Sequence, residues 1–123
     1  MIRKAFLTIL LIFGFSFAYQ DLNAKQFYEM IQKEKDVIIL DVRTPQEYQE
    51  GHISNAINIP VQILGQQLDK LKNFKDKKIL VYCRSGHRSA IASQILDRAG
   101  FKNVYNLKGG LLEWKASGLP LVK

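Results

Sequence analysis

The chain predicts an α/β fold built on a parallel sheet. Val37-Ile38-Ile39-Leu40 and Ile79-Leu80-Val81-Tyr82 are continuous apolar runs, the pattern of strands covered on both faces. Segments with helical spacing of apolar residues separate these runs, as in a chain of β and α units. Each run also ends in chemistry: Asp41-Val42-Arg43 follows the first and Cys83 follows the second. In parallel sheets, ligands bind beyond the carboxyl ends of strands, so both groups are expected at one mouth.

The elements follow in order. Asn23 with Gln26 three residues later has the form of a capping box, and Phe27, Met30 and Ile31 share one face of the helix it starts. The strand Val37–Leu40 leads to Thr44-Pro45-Gln46-Glu47, a turn with proline at the first position of a short helix that Gly51 ends. Ala56 to Ile59 reads as a short strand closed by Pro60. Leu64, Leu68 and Leu71 mark a second amphipathic helix. After the strand Ile79–Tyr82, a helix is expected from about Ala90, with Ile91, Ile95, Leu96 and Ala99 at near-helical spacing and Gly100 as its stop. Asn103 to Leu107 is the next strand, and Gly109-Gly110 opens a last short helix carrying Leu112 and Trp114. Trp114 is expected in the core or as a wall of the mouth, and Tyr28, Tyr48 and Tyr105 as half-buried packing residues.

The first 18 residues have another character. Arg3 and Lys4 precede an apolar stretch from Ala5 to Phe17, and Ser16 and Ala18 supply the small residues a signal peptidase reads. The stretch is 13 residues long, short for a membrane span of about 20. Residues 1–18 are therefore read as a secretory signal peptide and 19–123 as one domain, periplasmic or secreted, with no stable membrane association after cleavage. The net charge of +7 falls to +5 when Arg3 and Lys4 are lost, which favours anionic ligands. Lys70, Lys72, Lys75, Lys77 and Lys78 are interrupted by Asp69 and Asp76 and lack interleaved aromatics, which argues against nucleic acid.

Cys83 is the single cysteine, and Arg84-Ser85-Gly86-His87-Arg88-Ser89 follows it. A strand, a glycine-containing turn and a helix start together make an anion-binding cradle. Gly86 permits φ > 0, so the amides can turn inward. Ser85 and Ser89 add hydroxyl donors, and Ser89 is a candidate cap for the helix. A helix N-terminus contributes roughly 0.3–1 kcal/mol to an anion, with the positive charges of Arg84 and Arg88 expected to supply the rest. Cys83 is thus a candidate thiolate nucleophile. His87 reads either as a donor to an anionic ligand or as a solvated loop histidine. Arg43 reads first as an ion-pair partner of Glu47 and second as a direct contact to an anionic substrate. His52 reads as structural, hydrogen-bonded at a turn. Two histidines and one cysteine without metal-ligand spacing argue against a metal site.

Three separated motifs give the chain a family likeness. They are Asp41 to Tyr48 with Gly51-His52-Ile53 and Ala56-Ile57-Asn58-Ile59-Pro60; the loop Cys83 to Ser89; and Leu107-Lys108-Gly109-Gly110 with Trp114, Gly118, Leu119 and Pro120. In this the chain resembles a single-domain rhodanese, a sulfurtransferase. The resemblance implies a parallel sheet with helices on both faces. It implies that Cys83 takes a sulfane sulfur from an anionic donor such as thiosulfate, and that the persulfide then passes it to a thiol or, in assays, to cyanide. No metal or organic cofactor is implied. Asn55 stands where the family often has glycine, and asparagine also tolerates the left-handed region. Phosphatases and arsenate reductases on this fold carry a loop one residue longer; here four residues separate Cys83 from Arg88, a ring that suits one sulfur atom better than a tetrahedral oxyanion. A carrier that hands its persulfide to a protein acceptor would use the same loop.

Overall fold

The structure, a computed structural model, describes residues 19–123, so the expected signal peptide lies outside the described residues. Strands β1 (Gln20–Leu22), β2 (Ile38–Asp41), β3 (Ile57–Asn58), β4 (Lys78–Tyr82) and β5 (Asn103–Leu107) form one sheet in the order β1-β5-β4-β2-β3. Every pairing in it is parallel. The helices are α1 (Ala24–Lys33), α2 (Pro45–Glu50), α3 (Val61–Leu64), α4 (His87–Arg98) and α5 (Gly110–Ala116), with a 3₁₀ segment over Leu68–Phe74.

β4 lies in the middle of the sheet and shows why its sequence does not alternate. Ile79, Val81 and Cys83 point into one core, with Leu64 of α3, Leu71 of the 3₁₀ segment, and Ala92 and Leu96 of α4. Leu80 and Tyr82 point into the other core, with Ala24 and Phe27 of α1 and Leu111 and Trp114 of α5. Helices cover both faces, so every β4 position from Ile79 onward is buried. Cys83 continues the β4 alternation by one residue and therefore arrives on the α4 side.

The helix starts expected at Asn23 and at Thr44-Pro45 are both present, and the structure gives each a capping box. Asn23 Oδ1 accepts from Gln26 N at 2.8 Å, and Gln26 Oε1 accepts from Asn23 N at 2.9 Å. Thr44 Oγ1 accepts from Glu47 N at 3.1 Å, Glu47 Oε1 accepts from Thr44 N at 3.0 Å, and Pro45 follows the cap. Each cap contributes about 1 kcal/mol. Asn55 holds φ at 70°, so the turn before β3 keeps its left-handed residue without glycine. Tyr28, Tyr48 and Tyr105 are half-buried, and Trp114 is 1 % exposed.

Three elements differ from the sequence-based expectation. The helix expected through Leu64, Leu68 and Leu71 is two pieces, with α3 ending at Gly65 and a 3₁₀ segment taking over. Leu68, Leu71 and Phe74 recur every three residues, the 3₁₀ period, so all three meet the same core. β1 is a three-residue edge strand, Gln-Asp-Leu, which pairs with Tyr105–Leu107 and carries no apolar pattern of its own. α4 begins at His87, three residues ahead of expectation, with Gly86 as its cap residue; Ser89 is inside the first turn and caps nothing.

Tyr82 ties the two ends of the second core together. Its hydroxyl accepts from the buried Ile53 N–H at 3.0 Å, and burial together with the Asp41 carboxylate pushes its pKa well above the ordinary tyrosine value, so it stays protonated. Tyr82→Phe keeps the ring but strands that N–H, at a cost of about 1–3 kcal/mol. Urea unfolding checks this, and a loss below about 0.5 kcal/mol would mean the amide finds another partner.

Candidate active site

The mouth forms where β2 and β4 end side by side. Asp41 pairs with Tyr82 across the sheet, and Val42 N donates to Tyr82 O at 3.1 Å, so the chain leaves both strands at one level. From there Arg43 and Arg84 line the same small cleft of about 120 Å³, together with Glu47, Glu50 and Lys115.

The Cys83 side chain is buried, and its sulfur collects short contacts from the loop that follows. Gly86 N donates to Sγ at 3.1 Å and Ser89 N at 3.3 Å, with Ser89 Oγ at 3.4 Å. Burial pushes the thiol up, but the Ser89 hydroxyl and amide and the Gly86 and Ser85 amides outweigh it and hold Cys83 below its ordinary value. The early start of α4 makes this possible: Ser89 is its third residue, where a backbone N–H has no partner within the helix. Those amides converge only because Gly86 sits at φ 98°. A Cβ there would fall against the Lys108 carbonyl.

The loop is held from the far side by α5. Leu111 N donates to Cys83 O at 3.0 Å and Leu112 N to Arg84 O at 3.1 Å. Gly110, at φ 62°, lets the two backbones touch; a Cβ there would meet the Arg84 carbonyl and Ser85 N. In the sequence, Gly109-Gly110 signals only a helix start. The feature that marks the fastening is a glycine pair just past the end of β5, opposite the turn at Gly86.

The arginines differ from expectation. Arg43 does not pair with Glu47. Its Nε lies 3.1 Å from each Asp41 carboxylate oxygen, and its Nη2 lies 2.7 Å from Asp41 Oδ2 and donates to Gly51 O at 2.7 Å. It is 6 % exposed, with its guanidinium carbon 5.6 Å from the Tyr82 ring centre. Arg43 is a strut under the mouth: Asp41 and Gly51 take its Nε and Nη2, while the residue also lines the cleft. Glu47 instead receives Arg88, through Nη1 at 2.8 Å and Nη2 at 3.0 Å. Arg88 makes no hydrogen bond to the sulfur, so the direct contacts that stabilise the anion are amides and a hydroxyl, without a guanidinium. Arg84, Ser85 and His87 are exposed around the opening. His52 is structural: Nδ1 lies 2.8 Å from Tyr48 O, which makes it the protonated ring nitrogen, and the ring stacks on Tyr48 at 3.7 Å.

Residues 23–117 match the model of the rhodanese-like domain. The chain belongs to the rhodanese-like family. A sulfurtransferase of Allochromatium vinosum is 32 % identical over 102 residues, covering 83 % of this chain and 94 % of the relative. A tRNA uridine(34) hydroxylase of Hamiltonella defensa is 42 % identical over 110 residues, covering 83 % of this chain but 31 % of that longer protein. Among solved structures, a rhodanese-related protein from Thermoplasma volcanium superposes with a TM-score of 0.74 at 38 % identity, covering 85 % of this chain and 98 % of the other. This rhodanese-like chain thus spans nearly the whole of one relative and about a third of another.

In this rhodanese-like loop, two substitutions separate backbone from side-chain effects. Ser89→Ala removes the hydroxyl that accepts from the thiol and can turn to donate to the thiolate, and should move the pH midpoint of Cys83 alkylation upward, since the folded protein holds this thiol below its ordinary value. An unmoved midpoint would assign the stabilisation to the amides alone. Gly86→Ala forces a Cβ onto the Lys108 carbonyl at a positive φ, costing about 1–2 kcal/mol for the conformation and further for the clash. Thermal unfolding unchanged in Gly86→Ala would show that the turn has another conformation open to it.

Proposed function

We propose that the chain is a sulfurtransferase that cycles through a Cys83 persulfide, with thiosulfate as a competent donor. The observation that carries this is the convergence of Gly86 N, Ser89 N and Ser89 Oγ on one sulfur atom. Such a cradle stabilises a compact anion, which both the resting thiolate and the persulfide are.

The Cys83 thiolate attacks the outer, sulfane sulfur of thiosulfate. The new S–S bond forms as the donor S–S bond breaks, and sulfite leaves with the electron pair. The outer sulfur of the persulfide carries the negative charge under the same amides. An acceptor then attacks that sulfur. Cyanide leaves as thiocyanate and a thiol leaves as a persulfide, and each restores the Cys83 thiolate. Arg84, exposed at the opening, is placed to attract the anionic donor, with His87 and Ser85 as further donors there. Arg88 acts at longer range, since Glu47 takes both of its hydrogen bonds.

A carrier that delivers the persulfide to a protein acceptor is the second reading. Leu112, 46 % exposed beside the loop, and Ile91, 43 % exposed on α4, give such a partner apolar footing. Fast turnover with small acceptors favours the enzyme, and negligible turnover the carrier. The composition of residues 1–18 supports export, and with it a periplasmic or secreted setting for this chemistry.

The deciding experiment is intact-mass measurement of the reduced protein after exposure to thiosulfate, beside Cys83→Ala. A gain of one sulfur atom, lost on adding cyanide and absent from the variant, is expected. Sulfur gained by Cys83→Ala, or none gained by the natural chain, would overturn thiosulfate transfer through this residue.

A further inference from the structure

We propose that Glu47 is a specificity-determining positioning residue: by clamping Arg88 it cancels one positive charge beside Cys83, so that the site reads sulfur through short-range amide and hydroxyl donors and holds anionic substrate and anionic product only moderately. The consequence for turnover rests on the sulfurtransferase reading; the charge effect itself does not.

The clamp is built, not incidental. Both Arg88 Nη atoms meet the two carboxylate oxygens of Glu47, a fork-to-fork geometry, across 41 positions of sequence. Glu47 is itself fixed, since Oε1 also accepts from Thr44 N at 3.0 Å and Thr44 Oγ1 at 3.1 Å. A carboxylate tied into its own helix cap cannot follow Arg88 if Arg88 moves. It therefore determines where the guanidinium rests. The two side chains are 29 % and 26 % exposed, so the pair is partly shielded from solvent. The hydrogen bonds from Arg88, followed by those from Thr44, outweigh burial and pull Glu47 down to about 2, so the clamp stays ionised at any working pH. Among the described residues, Arg84 is then the one loop guanidinium without a carboxylate partner.

The chemistry gives this arrangement a use. Thiosulfate and sulfite are both anions, so a free guanidinium over the sulfur would hold donor and leaving product alike. Binding that is uniform along the reaction lowers KM without speeding the chemical step. It would also slow the release of sulfite and the access of an acceptor. Amides aimed at one atom, by contrast, follow the charge as it moves onto the sulfur.

The test reads the electrostatic potential at Cys83 without requiring sulfur transfer. Rates of alkylation by iodoacetate, an anion, and by iodoacetamide, which is uncharged, are measured at one pH and low ionic strength. Their ratio cancels the thiolate fraction and any general change in access. Glu47→Gln, which preserves the side chain's shape and one cap acceptor, should raise the iodoacetate-to-iodoacetamide ratio on the order of fivefold, less at high salt. Arg88→Gln should lower it, and Glu47→Gln with Arg88→Gln should return it near the natural value. With thiosulfate as donor, Glu47→Gln should lower KM and the sulfite inhibition constant together. A ratio unchanged in Glu47→Gln, or a double variant that fails to restore it, would overturn the proposal; a merely structural Glu47 would slow both reagents alike. If Glu47→Gln does not fold, Arg88→Gln alone decides, because the uncompensated Glu47 must then repel iodoacetate. A shifted ratio in a protein that takes no sulfur from thiosulfate would sink the donor assignment and leave the charge role intact.

Discussion

The site depends on two backbones packed closer than side chains permit. The turn at Ser85-Gly86 lies against Lys108, and the turn at Gly110 lies against Arg84. Each contact requires a glycine at positive φ. Once these turns interlock, the α5 amides take up the carbonyls of Cys83 and Arg84. The loop's own N–H groups are then directed at the sulfur rather than at its carbonyls. Covering helix, strand end and cradle therefore form one unit. A loop left to itself would pay the conformational entropy of aligning those donors each time an anion arrived.

Burial and charge are balanced differently at the two strand ends. At the end of β2, a full ion pair is buried: Asp41 and Arg43 satisfy each other, and Gly51 O completes the arrangement. Removing one partner from such a pair leaves an uncompensated charge, which makes it a rigid strut. At the end of β4, the buried group is a sulfur, and its direct partners carry only partial charge. An anion there is held without a counter-ion, so its charge can leave with a transferred atom. The Glu47–Arg88 pair lies between these ends and belongs to neither.

Much of the fold was legible because each signal was local. The capping box at Asn23, the proline after Thr44 and the apolar runs of β2 and β4 depend on residues within a few positions of one another, and each appears within a residue of where the pattern places it. Local patterns also had limits. Leu68, Leu71 and Phe74 fit a 3₁₀ period as well as an α period over so short a span. β1 exists because β5 offers it an edge, a fact absent from Gln20-Asp21-Leu22. The start of α4 is hidden in the sequence because Gly86-His87-Arg88 carries no apolar residue to reveal a helical face.

For the site, the sequence by itself determined the nucleophile candidate, the glycine that turns the loop and the donors that follow it. These lie within seven consecutive residues, Cys83 to Ser89, where chain connectivity alone brings them together. Only the tertiary structure decided how the charges pair. Arg43, Asp41, Glu47 and Arg88 offer several pairings on paper, and spacing favoured Arg43 with Glu47. The choice went instead to Asp41 with Arg43 and Glu47 with Arg88. Coulomb attraction is indifferent to which opposite charges meet, so partnership falls to whichever groups the packed elements bring within reach. The fastening of the cradle by Gly110 was likewise a matter of two distant segments meeting, which no single stretch of sequence records.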